Sequence, residues 1–249
     1  MNTFRVSKVS SLSPKNNMLV KICGLKLLED ARFAAAAGAD LLGIVVSESS
    51  PRRASETEAR AILARDVAQP KYLVFGYDDA DYIRTTFAAL AVTGTRLQIM
   101  ADHPQIDELL KLAPTELILP SISAAERITA TQVSRWERHP LVLFDSHRTL
   151  TPRPPLPEGE GRSASDGVRV AGGTGKTFNS ENIVGIRRPY LYAGGLNADN
   201  VAGIVAKVNP PGVDVASGTE ASPGIKDHSK VKRFIENAKR AAQMLQSQQ

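Results

Sequence analysis

A chain of 249 residues, 42% hydrophobic and 23% charged, can bury one large core and has the ordinary composition of a globular protein. No apolar run approaches the roughly 18 residues that a membrane-crossing helix needs, and a single cysteine excludes an internal disulfide, which suits a reducing, cytoplasmic setting. The net charge is +5, but residues 1–17 carry three basic residues and no acid, and residues 147–171 carry four Arg against three acids, so little is left for a basic face, and neither a nucleic-acid nor a membrane partner is expected.

Short strand-like and helix-like stretches alternate from residue 18 onward. Residues 20–22 read as a strand and 28–37 as an Ala-rich helix stopped by Gly38. The continuous apolar run 41–46 predicts a strand covered on both faces. Ser55 and Glu58 predict a capping box at the start of the next helix. Strand 72–75 and helix 79–91 follow, then strands 96–99 and 116–119 around a helix at 106–112. A helix over 124–136 leads to strand 141–144, and a short helix near 180–186 leads to strand 190–193. Asn197 is placed to cap a helix over 198–207, before the last strand, 212–215. In the closing helix Val231, Phe234, Ile235, Ala238, Ala241, Ala242 and Leu245 make one apolar stripe at helical spacing. Eight strands and eight helices in alternation predict a single (β/α)8 barrel over 18–249, with an open doubly wound sheet as the alternative.

Two segments stand outside this pattern. Residues 1–17 are Ser-rich, basic and without an amphipathic face, and read as a disordered or misassigned N-terminal extension, with a transit peptide as the other reading. Residues 147–171 are rich in Pro, Gly, Ser and Arg and read as a flexible insertion after the sixth strand. The run Gly172–Thr177 imitates a nucleotide-binding loop, but Val170 stands where that motif needs its first Gly, so it reads as a glycine-rich loop over the barrel mouth.

The last two strands each run into a small-residue turn, Ala193-Gly194-Gly195-Leu196-Asn197 and Ala216-Ser217-Gly218-Thr219-Glu220. Glycines admit close approach of backbone N–H groups to an anion, and a barrel phosphate site after strands 7 and 8 is a recurrent arrangement. Either turn alone is explained by turn geometry, whereas the pair points to a phosphorylated small molecule. At the other side of the mouth the chain's one cysteine, Cys23, directly follows the first strand. A lone thiol is more often a small buried hydrophobe than a functional group, but a strand's C-terminal end is where a barrel builds its active site.

Together KICGL at 21–25, SPR at 50–52, FDS at 144–146, GGTGKTF at 172–178, AGGLNADNV at 193–201, GVDVASGTE at 212–220 and PGIKD at 223–227 resemble the phosphoribosylanthranilate isomerase family of tryptophan biosynthesis. The resemblance spans about residues 18–240. It implies an Amadori rearrangement of an aminoaldose phosphate to an aminoketose phosphate, with Cys23 as general base and Asp145 as general acid. It also implies that Arg52 and Asp214 hold the anthranilate portion and the sugar, while Gly194, Gly195, Ser217, Gly218 and Thr219 bind the phosphate. No metal or organic cofactor is implied, and the protein is expected as a monomer or homodimer. A thiolate base needs nearby positive charge, for which Lys21 and Arg52 are candidates. An acidic Asp145 needs burial or a neighbouring negative charge.

Three departures from the family pattern accompany these matches. Gln98-Ile99-Met100-Ala101 stands where the family shows Gln-Leu-His-Gly, the segment between Asp145 and Gly172 is long, and Phe178-Asn179-Ser180 replaces Phe-Asp-Trp. Two other readings therefore stay open: a barrel enzyme acting on a different sugar phosphate, and a non-catalytic barrel that binds a phosphorylated ligand or a protein partner.

Overall fold

Strand β1 (Leu19–Ile22) pairs in parallel with β8 (Gly212–Val215), residue for residue from Leu19 opposite Gly212 to Ile22 opposite Val215. This seam closes a parallel sheet in which every strand lies beside the next in sequence order, β1 to β8. The expected barrel is thus present and the open sheet is excluded. The computed structural model describes residues 18–64, 67–146 and 177–248. The extension 1–17, the insertion 147–171 and the glycine-rich run 172–176 lie outside the described residues.

The intervening elements are α1 (Leu28–Ala36), β2 (Leu41–Val45), α2 (Glu56–Leu63), β3 (Lys71–Val74), α3 (Ala80–Leu90), β4 (Arg96–Met100), α4 (Ile106–Leu109), β5 (Ile118–Ser123), α5 (Ala130–Ser134), β6 (Val142–Asp145), β7 (Tyr190–Tyr192) and α6 (Val201–Val208). A two-stranded hairpin, β9 (Glu220–Ser222) with β10 (Ile225–Lys226), precedes the long closing helix α7 (His228–Gln246). The predicted capping box at Ser55 forms in both directions with Glu58. The closing helix buries Val231, Phe234, Ile235, Ala238 and Ala242, and Asp227 caps it by accepting from the N–H groups of Ser229 and Lys230.

The pleat sorts each strand into two faces. Val20, Ile22, Leu42, Ile44, Ile99 and Phe144 point outward into the main core beneath the helices. Leu41, Tyr72, Leu119, Leu141, Leu143 and Leu191 fill the barrel interior. Lys21 and Cys23 share the inward parity of β1, which places them above this plug and toward the mouth.

Several elements differ from expectation for identifiable reasons. β5 begins two residues later than predicted and runs through Pro120, because Ile99 and Pro120 face each other in register and the next pairing, to Leu143, is made by Ser121. The helix expected over 124–136 shrinks to α5, since Ile128 donates its N–H to Asn182 O and Thr129 then caps the helix through Gln132 N–H. α4 is a single turn, and after β6 the described residues hold only a 3-10 turn, Ser180–Ile183. Asn197 does not cap α6 directly: its carboxamide oxygen accepts from Asp199 and Asn200 N–H, holding the turn that leads into the helix.

Candidate functional site

Charge in the barrel mouth begins with a residue that an apolar strand should not contain. Lys21 is fully buried within β1, and its Nζ donates to Asp214 Oδ1 on β8 at 2.7 Å. The closing register sets these two side chains directly opposite each other. Burial by itself would lower the Lys21 pKa, but attraction to Asp214 and to Cys23 holds it above the ordinary lysine value. Burial raises Asp214 above the usual carboxylate range, Lys21 opposes that shift, and the neighbouring Asp145 carboxylate adds to it. Asp145 and Asp214 therefore resist being ionised together.

Cys23 stays in register beyond the strand end because its N–H donates to Val215 O at 2.8 Å. Its thiol is buried and lies against Gly43 of β2: a Cβ on Gly43 would come within 2.7 Å of Sγ and 3.0 Å of Lys21 Nζ. The absence of a side chain at Gly43 thus makes room for both groups. Burial pushes the thiol pKa up, Lys21 and Lys226 pull it back through their charge, and Asp214 opposes them.

Asp145 ends β6, half-buried, with Oδ1 accepting from Ser146 N–H at 2.6 Å. A Cβ on Gly194, at φ +89°, would meet this carboxylate at 2.8 Å, so the turn after β7 packs directly on the Asp145 side chain. Gly195 continues the turn at φ +64°. Next to it, Ser217–Thr219 form a 3-10 turn after β8. The two turns interlock, since a Cβ on Gly218 would run into Leu196 O and come within 2.9 Å of Asn197 Cα. Thr219 is fully buried, and both its N–H and its hydroxyl turn back onto Ala216 O, so this residue is committed to holding the turn.

Arg52 reaches the mouth from the loop after β2, but its Nε donates to Glu220 at 2.8 Å to Oε1 and 3.1 Å to Oε2. Glu220 also takes Lys226 Nζ at 3.4 Å. Neither Glu220 nor Lys226 was singled out from the sequence, and Lys226 had appeared only as a letter of the PGIKD motif. Arg52 is not among the charges acting on Cys23; Lys226 takes the place expected of it. Gln98 of β4 was also passed over. Its carbonyl oxygen is buried without a hydrogen-bond partner among the described residues.

The departures have local roles. Met100 is buried at the mouth end of β4, and Ala101 N–H donates to Ser121 O at 2.8 Å, so the strand end keeps its pairing. Asn179 accepts from Glu181 N–H at the start of the 3-10 turn, a capping task that Asn and Asp perform equally well. Phe178 stacks on Tyr192 at 4.4 Å between ring centres, and its carbonyl accepts from the Tyr192 hydroxyl.

A thiol beside two ammonium groups and a carboxylate across the mouth suit proton abstraction coupled to proton donation, and two interlocked glycine turns suit an anion. Comparison with known proteins shows the family. The family model described as N-(5'phosphoribosyl)anthranilate (PRA) isomerase matches residues 20–237. An N-(5'-phosphoribosyl)anthranilate isomerase of Halorhodospira halophila is 33% identical over 222 residues, covering 89% of this chain and 96% of its own. The crystal structure of the phosphoribosyl anthranilate isomerase of Thermotoga maritima superposes with a TM-score of 0.68 at 30% identity, covering 90% of this chain and 99% of the other. A phosphoribosyl anthranilate isomerase solved in complex with reduced 1-(o-carboxyphenylamino)-1-deoxyribulose 5-phosphate gives a TM-score of 0.65 at 28% identity, with the same coverage.

Proposed function

The chain belongs to the N-(5'-phosphoribosyl)anthranilate isomerase family and converts N-(5-phosphoribosyl)anthranilate to 1-(o-carboxyphenylamino)-1-deoxyribulose 5-phosphate, and we propose that Cys23 and Asp145 carry its proton transfers. The observation that carries this reading is electrostatic continuity across the mouth. Cys23 Sγ and Lys21 Nζ lie together against Gly43, Lys21 pairs with Asp214 at 2.7 Å, and the Asp145 charge acts on Asp214.

In this reading Asp145 gives a proton to the furanose ring oxygen as the anilino nitrogen lone pair opens the C1–O bond, forming an iminium ion. The Cys23 thiolate then takes the proton from C2, and the electron pair neutralises the iminium to leave an enolamine. Return of the thiol proton to C1, and of the C2 hydroxyl proton to Asp145, completes the aminoketose and restores both groups. The like-charge coupling of Asp145 with Asp214 supports retention of a proton on that pair.

The phosphate is assigned to the N–H groups of Gly194, Gly195, Ser217 and Gly218, with Thr219 bracing the turn from behind, near the N-terminus of α6. Asp214 is assigned to the sugar. Arg52 engages Glu220 through Nε, which leaves its two Nη groups to meet the anthranilate carboxylate. All these residues come from one barrel, so a monomer or a homodimer serves equally. A reducing, cytoplasmic location fits a mechanism that needs a free thiol.

The test is turnover of phosphoribosylanthranilate, followed by loss of anthranilate-type fluorescence, beside Cys23→Ala and Asp145→Asn. Each substitution should cut kcat by about 10²–10⁴-fold, as expected on removing a general base or acid. A folded Cys23→Ala chain that keeps its rate refutes the assignment of the base.

A further inference from the structure

The hairpin that follows the Ser217–Thr219 turn carries a charged group close to the proposed base. Lys226 lies on β10, and its side chain is fully buried. Nζ donates to Ala216 O at 2.9 Å and reaches Glu220 Oε1 at 3.4 Å. It also lies 3.5 Å from where a Cβ on Gly24 would stand, the residue next to Cys23. The backbone is fixed as well: Lys226 N–H donates to Oδ2 of the buried Asp30 on α1 at 3.0 Å, and Asp30 Oδ1 meets His228 Nε2 at 2.8 Å. A lysine is rarely enclosed this completely without a task for its charge.

The ion pairing around it is unequal. Lys21 has its own carboxylate at 2.7 Å. Lys226 shares Glu220 with Arg52, and Arg52 has the shorter contact, 2.8 Å against 3.4 Å. Much of the Glu220 charge is therefore taken up by Arg52. We propose that Lys226 is the positioning residue of the base: its under-compensated ammonium, clamped between Ala216 O and Glu220, supplies the positive field that favours the Cys23 thiolate. The proposal rests on the assignment of Cys23 as base. The charged groups acting on the thiol are Lys21 on its own strand, Asp214 on β8 and Lys226 on β10, with Glu220 and Arg52 behind Lys226. Burial holds the Lys226 pKa below the ordinary lysine value, and the charges of Glu220 and Cys23 oppose that shift, just as Lys226 opposes the upward shift of the thiol.

The chain has one cysteine, so alkylation by iodoacetamide reports on Cys23 alone. The alkylation rate and kcat/KM are measured against pH for the unmodified full chain, Lys226→Met and Lys226→Arg. Loss of the ammonium in Lys226→Met should move the alkylation midpoint upward by about one pH unit and lower kcat/KM about tenfold at fixed pH, both from the same loss of thiolate. Lys226→Arg keeps the charge and should leave the midpoint near that of the unmodified chain. A packing role would disturb both variants without moving the midpoint. A folded Lys226→Met with an unchanged alkylation midpoint overturns the proposal. Should that variant not fold, Lys226→Arg decides, because a midpoint raised by a full unit with the charge retained overturns it equally. Error in the underlying base assignment has a separate signature: Cys23→Ala would keep its turnover, while the alkylation profiles would still report the Lys226 field.

Discussion

Lys21 and Asp214 face each other across the seam that closes the barrel, joined at 2.7 Å with the lysine fully buried. The pair is therefore both a barrel closure and an electrostatic element of the site. Taking one partner away strands a buried charge, which costs about 3–5 kcal/mol. Asp214→Asn should lower the urea midpoint accordingly, and Lys21→Met should do the same. The double variant Lys21→Met/Asp214→Asn should recover much of the loss, since no charge is left unpaired. Additive losses in the double variant would show that the two groups are not coupled.

The pH dependence of Cys23 reactivity follows from the direction of the thiol shift. A base acts only when deprotonated, and burial holds Cys23 above the ordinary thiol value of 9.0 despite its ammonium neighbours. The fraction of thiolate, and with it the rate at which Cys23 is alkylated, should therefore climb through neutral pH and still be rising at pH 9. A plateau reached by pH 7 would contradict this environment for the base.

Gly43 tests how closely the base is fitted. An added methyl would come within 2.7 Å of Cys23 Sγ and 3.2 Å of Cys23 Cα, the latter a backbone atom that cannot swing away. Gly43→Ala should cost about 1–3 kcal/mol of stability as overpacking. It should also lower kcat, because the thiol must leave its place beside Lys21. Unchanged kcat would mean that the position of the thiol is not critical.

Much of this site was readable before any coordinates, and the physical reasons are specific. Cys23, Asp145 and the glycine turns all sit where a strand hands over to a loop, and the strand pattern alone marks those junctions. A lone Lys in LVKI and a lone Asp in GVDV also carried a readable signal, since a charge inside a buried strand needs an opposite partner. That these two partner each other depends on the β1–β8 register, which only barrel closure supplies. Lys226 and Glu220 were missed because they sit on a short hairpin between the last barrel strand and the closing helix, with no periodicity to announce it. The helix boundaries near residues 124–136 failed for a similar reason: a single tertiary bond, Ile128 N–H to Asn182 O, delays the helix start.

The phosphate turns offer a test with an internal control. Gly218 is wedged against Leu196 O and Asn197, so Gly218→Ala must push the two turns apart. With the phosphate assigned to both interlocked turns, as proposed, they cannot separate without misaligning their N–H groups. KM should rise at least tenfold, a loss of about 1.4 kcal/mol of binding, and competitive inhibition by inorganic phosphate should weaken in parallel. Gly203 lies on α6, the helix that follows the first of these turns, and an added Cβ there meets no atom within 4 Å. Gly203→Ala should therefore leave KM unchanged and stabilise the chain by about 0.5–1 kcal/mol, the helical preference of Ala over Gly. Should both variants raise KM alike, the effect would come from α6 as a whole, and the assignment of the phosphate to the interlocked turns would fall.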